Sequence, residues 1–486
     1  FWGEMFEDLE THYVFVEDNY LVFATSVRAV ESFIEDYVHG NFLSEAGWYK
    51  NLRSKLSDKY NYAYFARIPD MLAIYKSWAK GDIKDFFNRN TEGLSVFPAL
   101  AMQWSNEGEL LYNTTWLSSS PVQKKVRPHV LWQTHLDGSV STKPVIVTSH
   151  VDGSREIFVQ DDNNTIYLIN DAGRILWKQS LGEKINSDIF QVDLYKNGKL
   201  QYLFSTMSKI YLIDRNGSAV GHFPLKLKSD CKQGITVFDY DNNKDYRIFV
   251  PCLDQMVYLY DLNGNIVSGW QPDKADKPIV SKVKHFRLDG KDYLVYADKY
   301  RLYILDRRGK ERIKVSSVFD LPDQIDICLA KEKNGYRLLF PGLGGVINSV
   351  DFSGQASLLV TGKDMQGKLD VNVEDVNNDG VDECILTSDD GLFVFQLTGN
   401  CLLEKRWAER GTGYPYVYRF SNRDIRIGVN NMTLKQLFLL KTDGEMTQGF
   451  PISGDSPFSI SFSGNDGFNL YAGTDEGLLI KYRLTR

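Results

Sequence analysis

From about residue 145 onward a strand–turn unit ending in glycine recurs at nearly constant spacing, and no other feature narrows the fold as far. Ile166-Tyr167-Leu168-Ile169-Asn170-Asp171-Ala172-Gly173 reappears as Ile210–Gly217, Val257–Gly264 and Leu302–Gly309, with weaker copies ending at Gly354, Gly399 and Gly444. Successive glycines stand 44, 47, 45, 45, 45 and 45 residues apart. Helical solenoids share that length, but here each period holds short β-branched and aromatic runs between polar turns. Glycine supplies the positive φ that a hairpin turn requires. About four short strands in such a period is the pattern of a β-propeller blade.

In the first period the strands fall at Val145–Ser149, Glu156–Gln160, Thr165–Asn170 and Arg174–Ser180. Later first strands are expected near Asp188, Gly234, Val280, Ile325, Leu369, Tyr414 and Phe458, which makes eight units. The eighth ends after Leu478–Leu484 without a fourth strand. Val130–Gly138 matches the fourth-strand pattern of Ile175–Gly182 and is expected to complete it, leaving no open sheet edge. The expected fold is mainly β: an eight-bladed propeller over 128–486 closed by an N-terminal strand, with seven blades as the alternative. Residues 1–120 lack the period and are expected to form a small α+β domain missing its first strands. Its elements are a hairpin (Tyr13–Val16, Tyr20–Ala24), helices at Val27–Tyr37, Leu43–Leu56 and Met71–Asn88, and strands at Tyr62–Ile68, Ala99–Trp104 and Leu110–Trp116. Ser118–Lys125 reads as the linker.

Sixty-three acidic against 56 basic residues leave a formal charge of −7 with no Lys/Arg cluster, which excludes a nucleic-acid partner. No apolar run approaches the roughly 18–20 residues of a membrane helix, so no transmembrane segment is expected. Cys231, Cys252, Cys328, Cys384 and Cys401 are odd in number and scattered, unlike a disulfide framework or a zinc site. The chain starts at Phe1 rather than Met, so a signal peptide or lipid anchor is expected upstream.

Asp375-Val376-Asn377-Asn378-Asp379-Gly380-Val381-Asp382-Glu383 is the clearest site motif. Oxygen donors at positions 1, 3 and 5 converge, glycine at 6 turns the chain, position 7 offers a carbonyl and a carboxylate closes at 9. The segment resembles the calcium loops of FG-GAP propeller repeats. That resemblance implies a structural Ca2+ held by Asp375, Asn377, Asp379, the Val381 carbonyl and Glu383. The repeats usually carry Asp in the last place, so Glu383 departs from them, and a metal-free polar hairpin is the alternative. Asp239–Asp245 and Asp193–Gly198 read as worn copies, with the Lys244 ammonium expected in the cation's place.

The Asp-x-Gly hairpin followed by Trp (Asp171, Gly173, Trp177) is similar to the tryptophan-docking repeat of PQQ-type propellers. Trp132 and Trp177 match it best; Trp270, Phe223 and Phe450 fall near the same place, and all are expected to staple neighbouring blades. The central acids and paired cysteines of quinone enzymes are missing, so PQQ is not expected. No HExxH or GxSxG motif occurs. The turns between second and third strands carry Asp161, Asp162, Asp254, Asp298, Asp389, Asp390, Asp475 and Glu476. Asp162, Asp254, Asp298, Asp389 and Asp475 are the candidates for a binding rim at the channel mouth, though acidic residues also serve turns for their own sake.

Tyr20–Phe23, Val159-Gln160-Asp161, Asp193–Phe204, Phe238–Asp241, Leu305–Gly309 and Gly449-Phe450-Pro451 carry a wider resemblance, to uncharacterised Gram-negative envelope proteins. In those an α+β domain precedes a PQQ-like or FG-GAP-like propeller. The resemblance implies export to the periplasm or cell surface and specifies no reaction. The expected function is a non-enzymatic binding or scaffold protein for an envelope or outer-membrane protein partner. One version is an accessory or capping subunit in outer-membrane biogenesis or secretion. A glycan-binding or glycan-active propeller is the alternative.

Overall fold

The computed structural model describes 128–484 except 362–364, 366, 408, 422 and 463–466. Of the first 127 residues it describes 13–17, 20–24, 26–38, 42–68, 71–72, 79–81, 83–84, 86–87, 94, 97, 99–108 and 110–118. The chain divides into two compact units, Phe1–Lys125 and Val126–Arg486.

In the first unit the hairpin Tyr13–Glu17/Tyr20–Ala24 precedes the helix Val27–Val38. Ser26 Oγ accepts the Ala29 N–H at 3.2 Å at the helix start, the usual remedy for unpaired first-turn amides. Phe33 joins the two elements, with its ring centroid 5.6 Å from Phe15. The single helix expected over Leu43–Leu56 is instead a 3-10 turn, Leu43–Glu45, and a helix, Gly47–Arg53. Ala46 between them is extended (φ −64°, ψ 122°), which interrupts the helical ladder. Strands Tyr62–Arg67, Ala99–Glu107 and Leu110–Ser118 form an antiparallel sheet in that order. Leu52 and Leu56 pack on Ala99 and Ala101, with Trp48 and Phe65 alongside. The helix expected over Met71–Asn88 lies mostly outside the described residues, as does the linker beyond Ser118.

The second unit is a succession of short antiparallel sheets, mostly four-stranded. Sheet 1 holds Val145–Thr148, Arg155–Gln160, Thr165–Asn170 and Ile175–Ser180. Sheets 2 to 7 begin at Phe190, Thr236, Lys284, Cys328, Asp370 and Tyr416. Sheet 8 holds Ser459–Phe462, Phe468–Gly473 and Leu478–Leu484, and its fourth strand is His129–His135. The register there runs from Leu478 opposite His135 to Arg483 opposite His129. Sheet 3 has three strands (Thr236–Phe238, Arg247–Pro251, Val257–Tyr260). After it Ile266 makes one isolated bridge to Tyr260.

Second and third strands are buried on both faces, as in Glu383–Ser388 and Phe468–Gly473, because each sheet lies between two others. Eight apolar clusters fill the layers between consecutive sheets. One of them sets Ile157, Val159 and Tyr167 of sheet 1 against Tyr471 and Leu479 of sheet 8. The seven repeat glycines all take positive φ, between 82° and 91°. Where they turn, the neighbouring sheet docks. The Trp132 indole lies against Gly173 and donates to the Asp171 carbonyl at 2.8 Å; Trp177 lies against Gly217 and donates to the Arg215 carbonyl at 2.7 Å. Trp270 does otherwise. Its N–H donates to Val257 O at 2.7 Å within its own sheet, and its ring meets Phe249 at 5.0 Å.

Candidate functional site

The loop 375–383 joins the first two strands of sheet 6, Asp370–Glu374 and Glu383–Ser388. Asp375 accepts the Asp379 and Gly380 amides at 3.1 and 2.9 Å. Asn377 Oδ1 accepts the Asp379 N–H at 2.8 Å, and Asp379 Oδ1 accepts that of Val381 at 2.8 Å. The Asn377 amide nitrogen donates to Asp379 Oδ2 (3.2 Å) and to Glu383 Oε1 (2.7 Å). Glu383 is 1% exposed and also accepts the Val376 N–H at 3.0 Å. Burial, helped by the charges of Asp379 and Asp375 and opposed by these amides, pushes its carboxyl up to about 7. The structure therefore gathers Asp375, Asn377, Asp379 and Glu383 around one turn of the chain. Buried acid beside two further carboxylates is a donor set that suits a hard cation. Among the described residues, however, no three His, Cys, Asp or Glu side chains already stand in a metal-holding array. The Asn377 NH2 fills the space between Asp379 and Glu383.

The worn copies show what the first aspartate does without a metal. Asp193 accepts the amides of Asn197 and Gly198 (3.0 and 2.9 Å), and Asp239 those of Asn243 and Lys244 (3.0 and 2.8 Å). The Lys244 ammonium does not occupy its own loop. It reaches Asp193 of the preceding sheet at 2.6 Å, and Lys196 returns to Asp245 at 2.6 Å. Burial works to raise the Asp193 carboxyl, but Lys244 and the two amides overcome it and hold it below the usual carboxylate range. The two worn loops are thus tied to each other by reciprocal ion pairs.

The turn carboxylates are engaged one by one. Tyr258 and Tyr303 donate their hydroxyls to Asp254 and Asp298, each at 2.8 Å, and Tyr167 does the same to Asp161. Ser141 donates to Asp162 at 2.5 Å, Lys435 pairs with Asp475, and the Asp389 carboxylate lies over Gly367. Asp390 accepts from Ser388 and pairs with Arg406. Asp254, Asp298 and Asp161 also accept amides of their own turns. These acids shape turns and anchor third-strand tyrosines.

The sequence expectation passed over the space bordered by the first strands. One cavity, of about 480 Å³, is lined from sheets 1, 2, 7 and 8, including Lys143, Asp188, Tyr416 and Ser459. A second, of about 360 Å³, is lined from sheets 2 to 7 and shares Asp188 and Tyr416 with the first. Its charges come in pairs: Lys282 with Asp188 (3.2 Å), Lys284 with Asp326 (2.8 Å) and Lys368 with Asp370 (2.7 Å). Burial works against the Lys284 ammonium, but Asp326 overcomes it and holds it above its ordinary value. Polar residues at the start of each first strand, about 45 residues apart, are the signal that could have revealed this lining.

No family model and no curated protein matches the chain. Among solved structures it is similar to BamB from Moraxella catarrhalis at 15% identity and a TM-score of 0.47, over 74% of this chain and 100% of that one. It is similar to the quinohemoprotein alcohol dehydrogenase from Comamonas testosteroni at 10% identity and a TM-score of 0.49, over 76% and 79%. It is also similar to BBS1N, solved in complex with ARL6DN, at 12% identity and a TM-score of 0.44, over 74% and 98%. These neighbours include β-propeller proteins of the BamB and PQQ-like type at low identity. Every one of these TM-scores is below 0.5.

Proposed function

We propose that the chain is a non-enzymatic extracytoplasmic binding protein. It holds a protein partner of the bacterial envelope on one face of an eight-bladed ring closed by His129–His135, as an accessory or capping subunit of an outer-membrane biogenesis or secretion complex. One observation carries the reading. Met207, Leu253, Tyr300 and Leu343 occupy the turns between second and third strands in sheets 2 to 5, and Met432 that in sheet 7. All are exposed, at 40, 45, 40, 47 and 59%. Equivalent turns of successive blades share a face, so these five exposed apolar side chains all stand on it. Exposed apolar side chains repeated on one face suit association with a partner, and the aspartates of the same turns are held in place.

The test is a tagged pull-down from the native envelope fraction with partners identified by mass spectrometry. A stoichiometric membrane-protein partner is expected, lost from Leu253→Asp/Leu343→Asp and kept by Val151→Asp on the turns of the other face. Capture that ignores the Leu253→Asp/Leu343→Asp substitutions, or no capture beside a positive glycan array, overturns the reading in favour of a glycan-binding propeller. As a second part of the proposal, the loop 375–383 holds a structural calcium ion through Asp375, Asn377, Asp379, the Val381 carbonyl and Glu383, with the Asn377 amide turned to present its oxygen.

A further inference from the structure

The larger of the two cavities contains one cation that makes no ion pair. Across the lining of both cavities stand Lys143, Lys282, Lys284 and Lys368 against Asp188, Asp326 and Asp370. Each aspartate has its lysine, and Lys143 is left over. Its ammonium lies over the Tyr416 ring, 3.5 Å from the centroid, and 5.8 Å from that of Tyr418. The other polar groups of the wall are already bonded. Thr142 donates to Gln160 O (2.6 Å), Ser459 to Pro144 O (2.6 Å), Ser187 to Asp188 O (2.8 Å), and Tyr418 to Phe458 O. Among the described residues neither Lys143 Nζ nor the Tyr416 hydroxyl has a hydrogen-bond partner. Burial lowers the Lys143 ammonium to about 8, against the pull of Asp188. The rest of the wall is apolar, with Val145, Ile146, Ile185, Ile189 and Ile460.

An unpaired ammonium in a partly apolar cavity is costly, and an ion-paired one far less so. Lys143 is the one cation of this wall, and its only acidic neighbour in the lining, Asp188, is already paired with Lys282. We infer that this cavity is a binding site for a small organic monocarboxylate. Its carboxylate pairs with Lys143 and accepts the Tyr416 hydroxyl, and its hydrocarbon part lies against Val145, Ile189 and Ile460. A cavity of about 480 Å³ admits a molecule of modest size, in the range of ordinary small-ligand pockets. The apolar part of the wall favours an apolar body, and the one ammonium outside an ion pair favours one carboxylate over two. This inference stands apart from the partner-binding reading, since it concerns the interior of the stack and not the turn face.

The probes are benzoate and straight-chain carboxylates of two to ten carbons, followed by thermal shift and isothermal titration on the full chain. At least one is expected to bind and raise Tm, with the matching primary amide at least tenfold weaker. Lys143→Met keeps the length of the side chain and removes the unpaired charge, so its Tm is expected at or above the parent's. Carboxylate binding to it is expected to fall at least tenfold. Tyr416→Phe, which keeps the ring under Lys143, should weaken binding by a smaller factor. The inference is overturned if no probe binds the parent, if amides bind as well as acids, or if a well-folded Lys143→Met binds like the parent.

Discussion

Gly217 and Gly198 have almost the same backbone, φ +85° and +83°, in different surroundings. At Gly217 an added Cβ would come within 3.0 Å of the Trp177 ring, whereas at Gly198 nothing lies within 4 Å. Both Ala substitutions carry the left-handed penalty of about 1–2 kcal/mol, but only Gly217→Ala also displaces the indole. Gly217→Ala is therefore expected to lower Tm clearly more than Gly198→Ala in a thermal melt; equal losses would mean that the docked tryptophan adds nothing. The pair Lys244–Asp193 yields a pH prediction. Asp193 is held below its unfolded value, so its contribution is present above about pH 4 and fades as the pH falls through the folded value. Lys244→Met should lower Tm at pH 7, and the deficit should shrink in melts recorded below pH 4. Glycine was legible in the sequence because a hairpin demands positive φ. The destination of Lys244 was not, because its flexible stem reaches either loop and nothing in one chain segment encodes the distance to the next sheet.

The loop between the first two strands of sheet 6 is where element-scale chemistry concentrates. If it binds calcium, the ion stabilises the native state by mass action, about 2.7 kcal/mol at a hundredfold excess over Kd. Calcium is expected to raise Tm, and Asp379→Ala to abolish the rise. A melt indifferent to calcium in the unmutated protein would remove the site. Strand positions were read closely where apolar alternation meets Asn, Asp and Gly, and in sheet 1 the expected bounds differ from the observed ones by at most about one residue. The reading weakened where one residue decides the path. Ala46 breaks the helical pattern of Leu43–Leu56 although alanine favours helix. Trp270 falls near the place of the docking tryptophans, but its indole found an acceptor within its own sheet. Among the site residues, the loop 375–383 was visible because all its donors lie within nine positions. The cavity lining was not, because its residues are scattered over all the repeats.

Sheet 8 draws its outer strand from the far end of the second unit, and its neighbours treat that strand as their own. Trp132 docks on the hairpin of sheet 1, and the Lys481 ammonium, 3% exposed, bonds to Asp171 at 2.6 Å. Deleting 128–138 should leave Leu478–Leu484 with an unpaired edge and the Asp171–Gly173 hairpin without its indole. Light scattering and melting of that variant are expected to show aggregation and a lower Tm, whereas a soluble variant of parental stability would refute closure by this strand. The pairing of His129–His135 with Leu478–Leu484 was legible in the sequence because the last unit was one strand short and the first match came one strand early.

The same arrangement sets a clock on biosynthesis. Lys481 and its partner Asp171 are 310 residues apart, so at roughly 5–20 residues per second the ribosome needs about 15–60 s to supply the second after the first. For that interval His129–His135 has been made and its pairing edge has not. A nascent chain of this design carries an unpaired strand until Leu478–Leu484 has been made, and a product truncated before those residues never pairs it. Termination before Leu478 should therefore yield a chain marked for chaperones or proteases by its unpaired His129–His135 strand.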